Sequence, residues 1–328
     1  MPANLPPQYF ETEKKLKTAK SIPEKIQILE ELLSIVPKHK GTEKLQAILK
    51  RKISKLRDQE KKRSAPARRA PLFYIEKSGA GQVILIGPPN SGKSKILNSL
   101  TNASSEVADY PYTTKKPVPG MMPYKNIQIQ LVDTPPIGEE YFEPWLTELI
   151  KLSDGILLVV DLSDDDLLSQ IDNIINKLEA KKIKLVGSIE ENLENRIFQK
   201  RTIIIGNKYD LDRAKENFEI LKELLGKKFP LFPYSAEENK NSENFKEEIY
   251  KLLDVVRFYS KIPGKKPDLE EPFVFKRGST IMDMAERIHK DFAHKLKYAR
   301  VWGTNKFDGQ KVTRDYVLQE EDIIELHI

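Results

Sequence analysis

The stretch Gln82-Val83-Ile84-Leu85-Ile86-Gly87-Pro88-Pro89-Asn90-Ser91-Gly92-Lys93-Ser94 decides the fold. It opens on a short apolar run rich in branched side chains, the pattern of a strand buried on both faces. From Gly87 to Ser94 it fits the phosphate-binding pattern GxxxxGK[ST], and Ile96, Leu97 and Leu100 then recur at helical spacing. A strand, a glycine loop and a helix N-terminus in that order aim backbone N–H groups and the positive end of the helix dipole at one point. The pattern predicts a phosphate site made by Gly87, Asn90, Ser91, Gly92, Lys93, Ser94 and Lys95. Lys93 can reach the β- and γ-phosphates of a nucleotide, and the Ser94 hydroxyl can take a place on Mg²⁺.

The base is read further along. Arg201-Thr202-Ile203-Ile204-Ile205-Gly206 is another apolar run, and it ends in Asn207-Lys208-Tyr209-Asp210. An aspartate at the carboxyl edge of a strand accepts two hydrogen bonds from the ring N–H and amino group of guanine. Adenine offers the wrong pattern and would leave that charge unpaired. Leu231-Phe232-Pro233-Tyr234 leads into Ser235-Ala236, the usual backbone contact to the guanine oxygen. Asn207, Lys208, Asp210, Ser235 and Ala236 therefore form the expected guanine site, with GTP and GDP as ligands.

Two switch segments are expected between these motifs. Asn126 to Val132 alternates toward Asp133-Thr134-Pro135-Pro136, and Asp133 matches an acidic residue that serves Mg²⁺. In Tyr110-Pro111-Tyr112-Thr113-Thr114, one threonine would meet Mg²⁺ and the γ-phosphate. Thr114 is favoured and Thr113 is the alternative. Pro136 stands where the pattern DxxG has glycine, and proline has no N–H to offer the γ-phosphate. Gly138 or another donor substitutes, or the γ-phosphate is sensed weakly, and slow intrinsic hydrolysis is expected. Ile137 stands where Ras-like enzymes carry a glutamine that orients water. Asn90 matches in position the asparagine that holds K⁺ in potassium-activated GTPases; the alternative is that it only braces the loop. The expected catalytic set is Lys93, Thr114 and Asn90, and the expected metal set is Ser94, Thr114 and Asp133.

These motifs resemble the Obg/DRG branch of translation-associated GTPases, whose signatures include GxPNxGKS and a YxFTT-like switch. The likeness extends past the nucleotide motifs. Met282-Asp283-Met284-Ala285-Glu286-Arg287-Ile288-His289-Lys290, Lys297-Tyr298-Ala299-Arg300-Val301-Trp302-Gly303, Gly309-Gln310-Lys311-Val312 and Val317 to Leu326 resemble a TGS domain, a ubiquitin-like β-grasp module. Only Lys181 to Lys200 separates a helix from the Asn207 strand, too little for the α/β domain inserted there in DRG proteins. Switch II also lacks their Gly-rich segment. The chain is similar to a compact DRG-type protein without the insertion.

Charge is unevenly spread along the 328 residues. Residues 38–70 hold 13 Lys/Arg against 3 Asp/Glu, a local excess of +10 in a chain of net +6. Ser21 to Glu24 reads as a capping box opening a helix with Ile26, Leu29, Leu33 and Val36 on one face. After the break at Pro37 to Gly41, Leu45, Leu49, Ile53 and Leu56 form an answering stripe. The two are expected to pack as a hairpin, leaving Lys50, Arg51, Lys52, Lys55, Arg57, Lys61, Lys62, Arg63, Arg68 and Arg69 free for a polyanion. The expected organisation is 1–70 basic helical hairpin, 71–260 doubly wound α/β P-loop GTPase domain and 261–328 TGS domain, with Lys261 to Pro267 as linker. With no cysteine, no long apolar run and no basic-then-apolar start, a cytoplasmic setting without a membrane span is expected. The four histidines are scattered and suggest no metal cluster. The preferred function is a GTP-hydrolysing switch acting on the ribosome or ribosomal RNA through the hairpin and the TGS domain, with a protein activator. A nucleotide-dependent adaptor with negligible hydrolysis is the alternative. A further alternative makes the TGS module a regulatory domain for a small ligand and the hairpin a coiled-coil dimeriser.

Overall fold

The structure is a computed structural model that describes residues 75–101, 116–138, 142–189, 197–304 and 306–328, together with 22–37, 46–54 and a few single positions before 43. The chain divides into two compact units, Met1–Leu72 and Phe73–Ile328.

In the first unit, helix α1 (Ile22–Ile35) and helix α2 (46–54) bury Ile26, Ile28, Leu29, Leu32, Val36, Leu49 and Ile53 in one cluster with Tyr9. The two stripes meet as expected of a hairpin, with Leu32 fully buried and Leu33 only partly so. The side chains of Thr42 and Gln46 both donate to the Pro37 carbonyl at the end of the first helix. Lys50, Arg51 and Lys52 are exposed. The expected cap at Ser21, the apolar Leu45 and Leu56, and the basic residues from Lys55 to Arg69 lie outside the described residues.

The second unit carries two sheets. The first has the order β2-β3-β1-β4-β6-β5, with β7 also on β6. Its strands are β1 (Gln82–Ile86), β2 (Val118–Tyr124), β3 (Ile127–Asp133), β4 (Gly155–Asp161), β5 (Ile183–Val186), β6 (Phe198–Asn207) and β7 (Leu231–Pro233). Only the β2–β3 pair is antiparallel. In β1, Ile84 and Ile86 face one core with helices α4 (Pro144–Leu152), α5 (Leu167–Ala180) and α6 (Ala214–Leu225). Val83 and Leu85 face the other, with α3 (Lys93–Leu100) and α7 (Ser242–Leu253). Helices on both faces explain why these strands read as unbroken apolar runs. The stretch from Lys181 to Lys200 holds the short edge strand β5, which pairs with the first half of β6 while β7 pairs with the last part.

The second sheet has the order β11-β10-β12-β8-β9, built from β8 (Val255–Ser260), β9 (Phe273–Lys276), β10 (Tyr298–Trp302), β11 (Gln310–Val312) and β12 (Ile323–His327). Helix α8 (Ile281–Ile288) covers it, opened by a capping box between Thr280 and Asp283, and the short α9 (Lys290–Lys295) follows. This is a β-grasp arrangement. The expected organisation assigns all of residues 71–260 to the first domain. Instead, Asp254 in the left-handed conformation (φ 51°) ends α7, and Val255 to Tyr259 is a strand of the second sheet. The β-branched and aromatic residues there alternate between faces: Val256 and Phe258 enter the β-grasp core.

Arg257, on the other face of β8, is buried against the first sheet. Its guanidinium donates to Glu320 at 2.7 Å, to Glu321, and to Asn126 Oδ1 at 2.5 Å, while Asn126 Nδ2 donates to Tyr259 and to the Leu269 carbonyl. The Tyr250 hydroxyl of α7 also donates to Glu320, at 2.6 Å. Asn126 is the turn between β2 and β3, so the β-grasp module is tied to the tip of that hairpin. Arg257→Ala is expected to lower the unfolding free energy by roughly 2 kcal/mol in a urea titration, since hydrogen bonds to charged groups are lost. An unchanged midpoint would contradict the role given to Arg257.

Candidate functional site

The loops at the carboxyl ends of β1, β3, β6 and β7 converge, as ligand sites do in open α/β sheets. After β1 the chain turns through Gly87 at φ 157°, where a Cβ would lie 2.1 Å from the Val159 carbonyl oxygen. Asn90 is exposed and left-handed at φ 59°, and Gly92, at φ 92°, caps the N-terminus of α3. The Ser91 hydroxyl donates to the Pro88 carbonyl at 3.0 Å. Lys93 is almost fully buried, with Nζ 2.8 Å from the Pro88 carbonyl, 3.2 Å from that of Gly87 and 3.4 Å from Ser91 Oγ. Its ammonium thus lies inside the loop, held by carbonyls. The next residue, Ser94, donates its hydroxyl to Asp133 Oδ2 at 2.5 Å, joining the loop to the end of β3. Lys95, one position on, is paired with Glu237.

Asn207 ends β6 and is 2% exposed. Its Nδ2 donates to the Ser91 carbonyl at 2.8 Å, and its Oδ1 accepts from the Ala236 N–H at 3.2 Å. One amide thereby holds the loop after β1 and the turn after β7. Lys208, left-handed at φ 62°, forms an ion pair with Asp161 at the end of β4. Burial pushes the Asp161 carboxyl up, but hydrogen bonds from Lys208 and Ser163 outweigh it and hold the group below its usual range. Asp210 is exposed and, with Tyr209, Tyr234 and Ser235, lines a cleft of about 630 Å³. The Ser235 hydroxyl accepts from the Glu238 N–H at 3.1 Å, which shapes the turn carrying Ala236.

The structure thus brings together Gly87, Asn90, Ser91, Gly92, Lys93, Ser94, Lys95, Asp133, Asn207, Lys208, Asp210, Ser235 and Ala236. Thr113 and Thr114 lie outside the described residues. Pro136 is half-buried and Ile137 is buried in the core, its N–H donating to the Gly87 carbonyl at 3.0 Å. The Gly138 carbonyl accepts from Lys177. Sequence reasoning missed Asp161 and Glu237, because each acts through a partner far away in the chain. Among the described residues no cluster of three or more His, Asp or Glu could hold a metal, and no helix is long and apolar enough to cross a membrane.

Residues 82–208 match the family described as 50S ribosome-binding GTPase, and residues 256–328 match the TGS domain. A GTP-binding protein of Methanocaldococcus jannaschii is 32% identical over 368 aligned residues, covering 94% of this chain and 93% of its own. The chain belongs to the DRG-type family of GTP-binding proteins. Developmentally regulated GTP-binding protein 2 of Homo sapiens is 28% identical, covering 92% of this chain and 98% of its own. The crystal structure of a GTP-binding protein from Pyrococcus horikoshii shares the fold, with a TM-score of 0.51 at 16% identity over 75% of this chain and 99% of that one. The alignment with the M. jannaschii protein runs longer than the whole of this DRG-type chain, so the relative has internal residues that this one lacks. The later start of the expected TGS segment is also revised: the match begins at Val256, within β8.

Gly92→Ala is expected to destabilise the protein by about 1–3 kcal/mol, the usual scale for a strained left-handed residue. The added Cβ would sit 2.1 Å from Asn207 Nδ2. Urea denaturation measures the effect, and an unchanged midpoint would mean that Asn207 can step aside.

Proposed function

We propose that this protein binds GTP and hydrolyses it to GDP and phosphate, working as a cytoplasmic nucleotide switch in ribosome function or assembly. The observation that carries the reading is the meeting of a buried lysine loop, a Ser94–Asp133 contact and an Asn207–Lys208–Tyr209–Asp210 turn at the ends of adjacent strands. Gly87 to Lys95 would bind the phosphates through backbone N–H groups, with Lys93 turning from carbonyls to the β- and γ-phosphates. Asp210 would accept from guanine, and Ser235 and Ala236 would face its oxygen. The hydroxyl of Ser94 and the carboxylate of Asp133 are hard oxygen donors side by side, a set that suits Mg²⁺, with Thr114 as the further ligand. When bound, Mg²⁺ neutralises charge on the β- and γ-oxygens.

Hydrolysis is attack of water in line on the γ-phosphorus. Two features of this chain favour a slow intrinsic rate. Pro136 has no N–H for the γ-phosphate. Ile137 faces the core and carries no group to orient water. Asn90, exposed on the phosphate loop, is the residue we assign to K⁺, which would supply positive charge near the β–γ bridge, and a protein activator would complete the site. The same two features support a second reading, an adaptor that binds nucleotide with negligible turnover. The partner reading rests on the +10 excess of residues 38–70, on exposed Lys50, Arg51 and Lys52 in the hairpin, and on the TGS module. Ribosomal RNA is the polyanion these fit.

Steady-state GTP hydrolysis in KCl and in NaCl, with and without purified ribosomes, tests the reading. The expected result is slow turnover that ribosomes stimulate and that is faster in K⁺. Equal rates in the two salts would remove Asn90 from the mechanism, and tight GTP binding with no turnover anywhere would favour the adaptor. Pro136→Gly is expected to raise the rate or the preference for GTP over GDP. No change in either would show that Pro136 does not limit the site.

A further inference from the structure

The phosphate loop and the guanine turn are held together at more points than the buried Asn207 amide. On helix α3, Ser99 lies 3.2 Å from the Tyr234 hydroxyl, which donates in turn to Asn239 Oδ1 at 2.5 Å. One turn earlier on the same face, Lys95 is ion-paired with Glu237. Residues i and i+4 of a helix stand one above the other. The turn from Tyr234 to Asn239 therefore lies along the Lys95–Ser99 edge of α3. The seam has an inner end, closed by Asn207 at 2% exposure, and an outer end, where the Lys95 and Glu237 side chains are 55% and 70% exposed.

Position along the chain gives this outer contact its meaning. Lys95 directly follows Ser94, at the phosphate end of the site, and Glu237 directly follows Ala236, at the base end. Lys151–Glu148, Lys246–Glu243 and Lys251–Glu247 are ion pairs within single helices. The Lys95–Glu237 pair instead joins helix α3, at the phosphate end, to the turn after β7, at the base end, and would have to open for a nucleoside bound between them to leave. We propose that Lys95 and Glu237 form a salt-sensitive bridge across the mouth of the nucleotide site that slows release of a bound guanosine di- or triphosphate. This rests on the guanine-nucleotide reading above. The seam is in two parts: uncharged, mostly buried hydrogen bonds fix its inner end at any ionic strength, and a solvated ion pair closes its outer end and weakens as salt rises.

Release of a fluorescent GDP analogue, chased with excess unlabelled GDP in stopped flow, tests the bridge on the full-length protein. In low salt, Lys95→Met and Glu237→Gln are each expected to speed release roughly two- to fivefold, the range of an exposed ion pair. The double variant should be no faster than either single one, and the exchanged pair Lys95→Glu with Glu237→Lys should return toward the wild-type rate. In about 1 M salt, where screening acts within a few ångströms, all five proteins should converge. Single variants that release GDP at the wild-type rate in low salt would overturn the bridge, as would an exchanged pair no slower than the singles. A wild-type protein that takes up no labelled GDP would overturn the guanine reading itself, a result distinct from either of those.

Discussion

A single buried amide holds the site together. Asn207 sits at the end of a ten-residue strand, its position fixed by parallel pairing with β4 on one side and by β5 and β7 on the other. From there it donates to the loop after β1 and accepts from the turn after β7. Both partners are backbone groups, so what the amide specifies is the separation of two loops. Buried donors and acceptors are expensive to leave unpaired, which makes that separation stiff. Glycine at position 92 follows from it, because any Cβ there would occupy the space of the Asn207 amide. In the proposed reading, the phosphate end and the base end of the ligand would thus be set at a fixed distance before any ligand arrives.

The hairpin of β2 and β3 links this site to the β-grasp module. At one end of its ladder Val118 pairs with Asp133, next to Ser94, and at the other Tyr124 pairs with Ile127 beside Asn126. Asn126 is held by Arg257 and Tyr259 of β8. In the proposed switch, a change at Asp133 therefore has a continuous hydrogen-bonded element leading to the second sheet. Such continuity is a route by which coupling can travel, and coupling itself is a measured free energy. The outer rings of the β-grasp sheet take no part in it. Lys261 lies over Trp302, whose ring edge also adjoins Gly309, while Tyr298 stacks on His327 beneath Lys311. Trp302 is packed by these neighbours, in keeping with a structural role.

Much of this was legible in the chain. Gln82 to Ser94 and Arg201 to Asp210 announce themselves because a strand covered on both faces must be apolar throughout, and because tight turns over phosphates select glycine. The hairpin of α1 and α2 was legible from helical periodicity. Strand β8 was not, since Val255 to Tyr259 directly follows a helix and only its partners in β9 and β12 decide which sheet receives it. Nor was β5, a short edge strand without a strong pattern of its own. The Arg257–Glu320, Lys208–Asp161 and Lys95–Glu237 pairs join residues far apart in sequence, and no local periodicity reports such contacts.

In the proposed reading, Asp210 selects guanine. The direct measurement is competition of GDP, ADP and xanthosine diphosphate for the wild-type protein and for Asp210→Asn. The amide keeps an acceptor for the ring N–H and puts a donor where the carboxylate accepted from the amino group, which suits the carbonyl of xanthine, so the wild type should prefer GDP and the variant should prefer xanthosine diphosphate by a large factor. A variant that kept its preference for GDP, or a wild type that bound ADP equally well, would contradict the account.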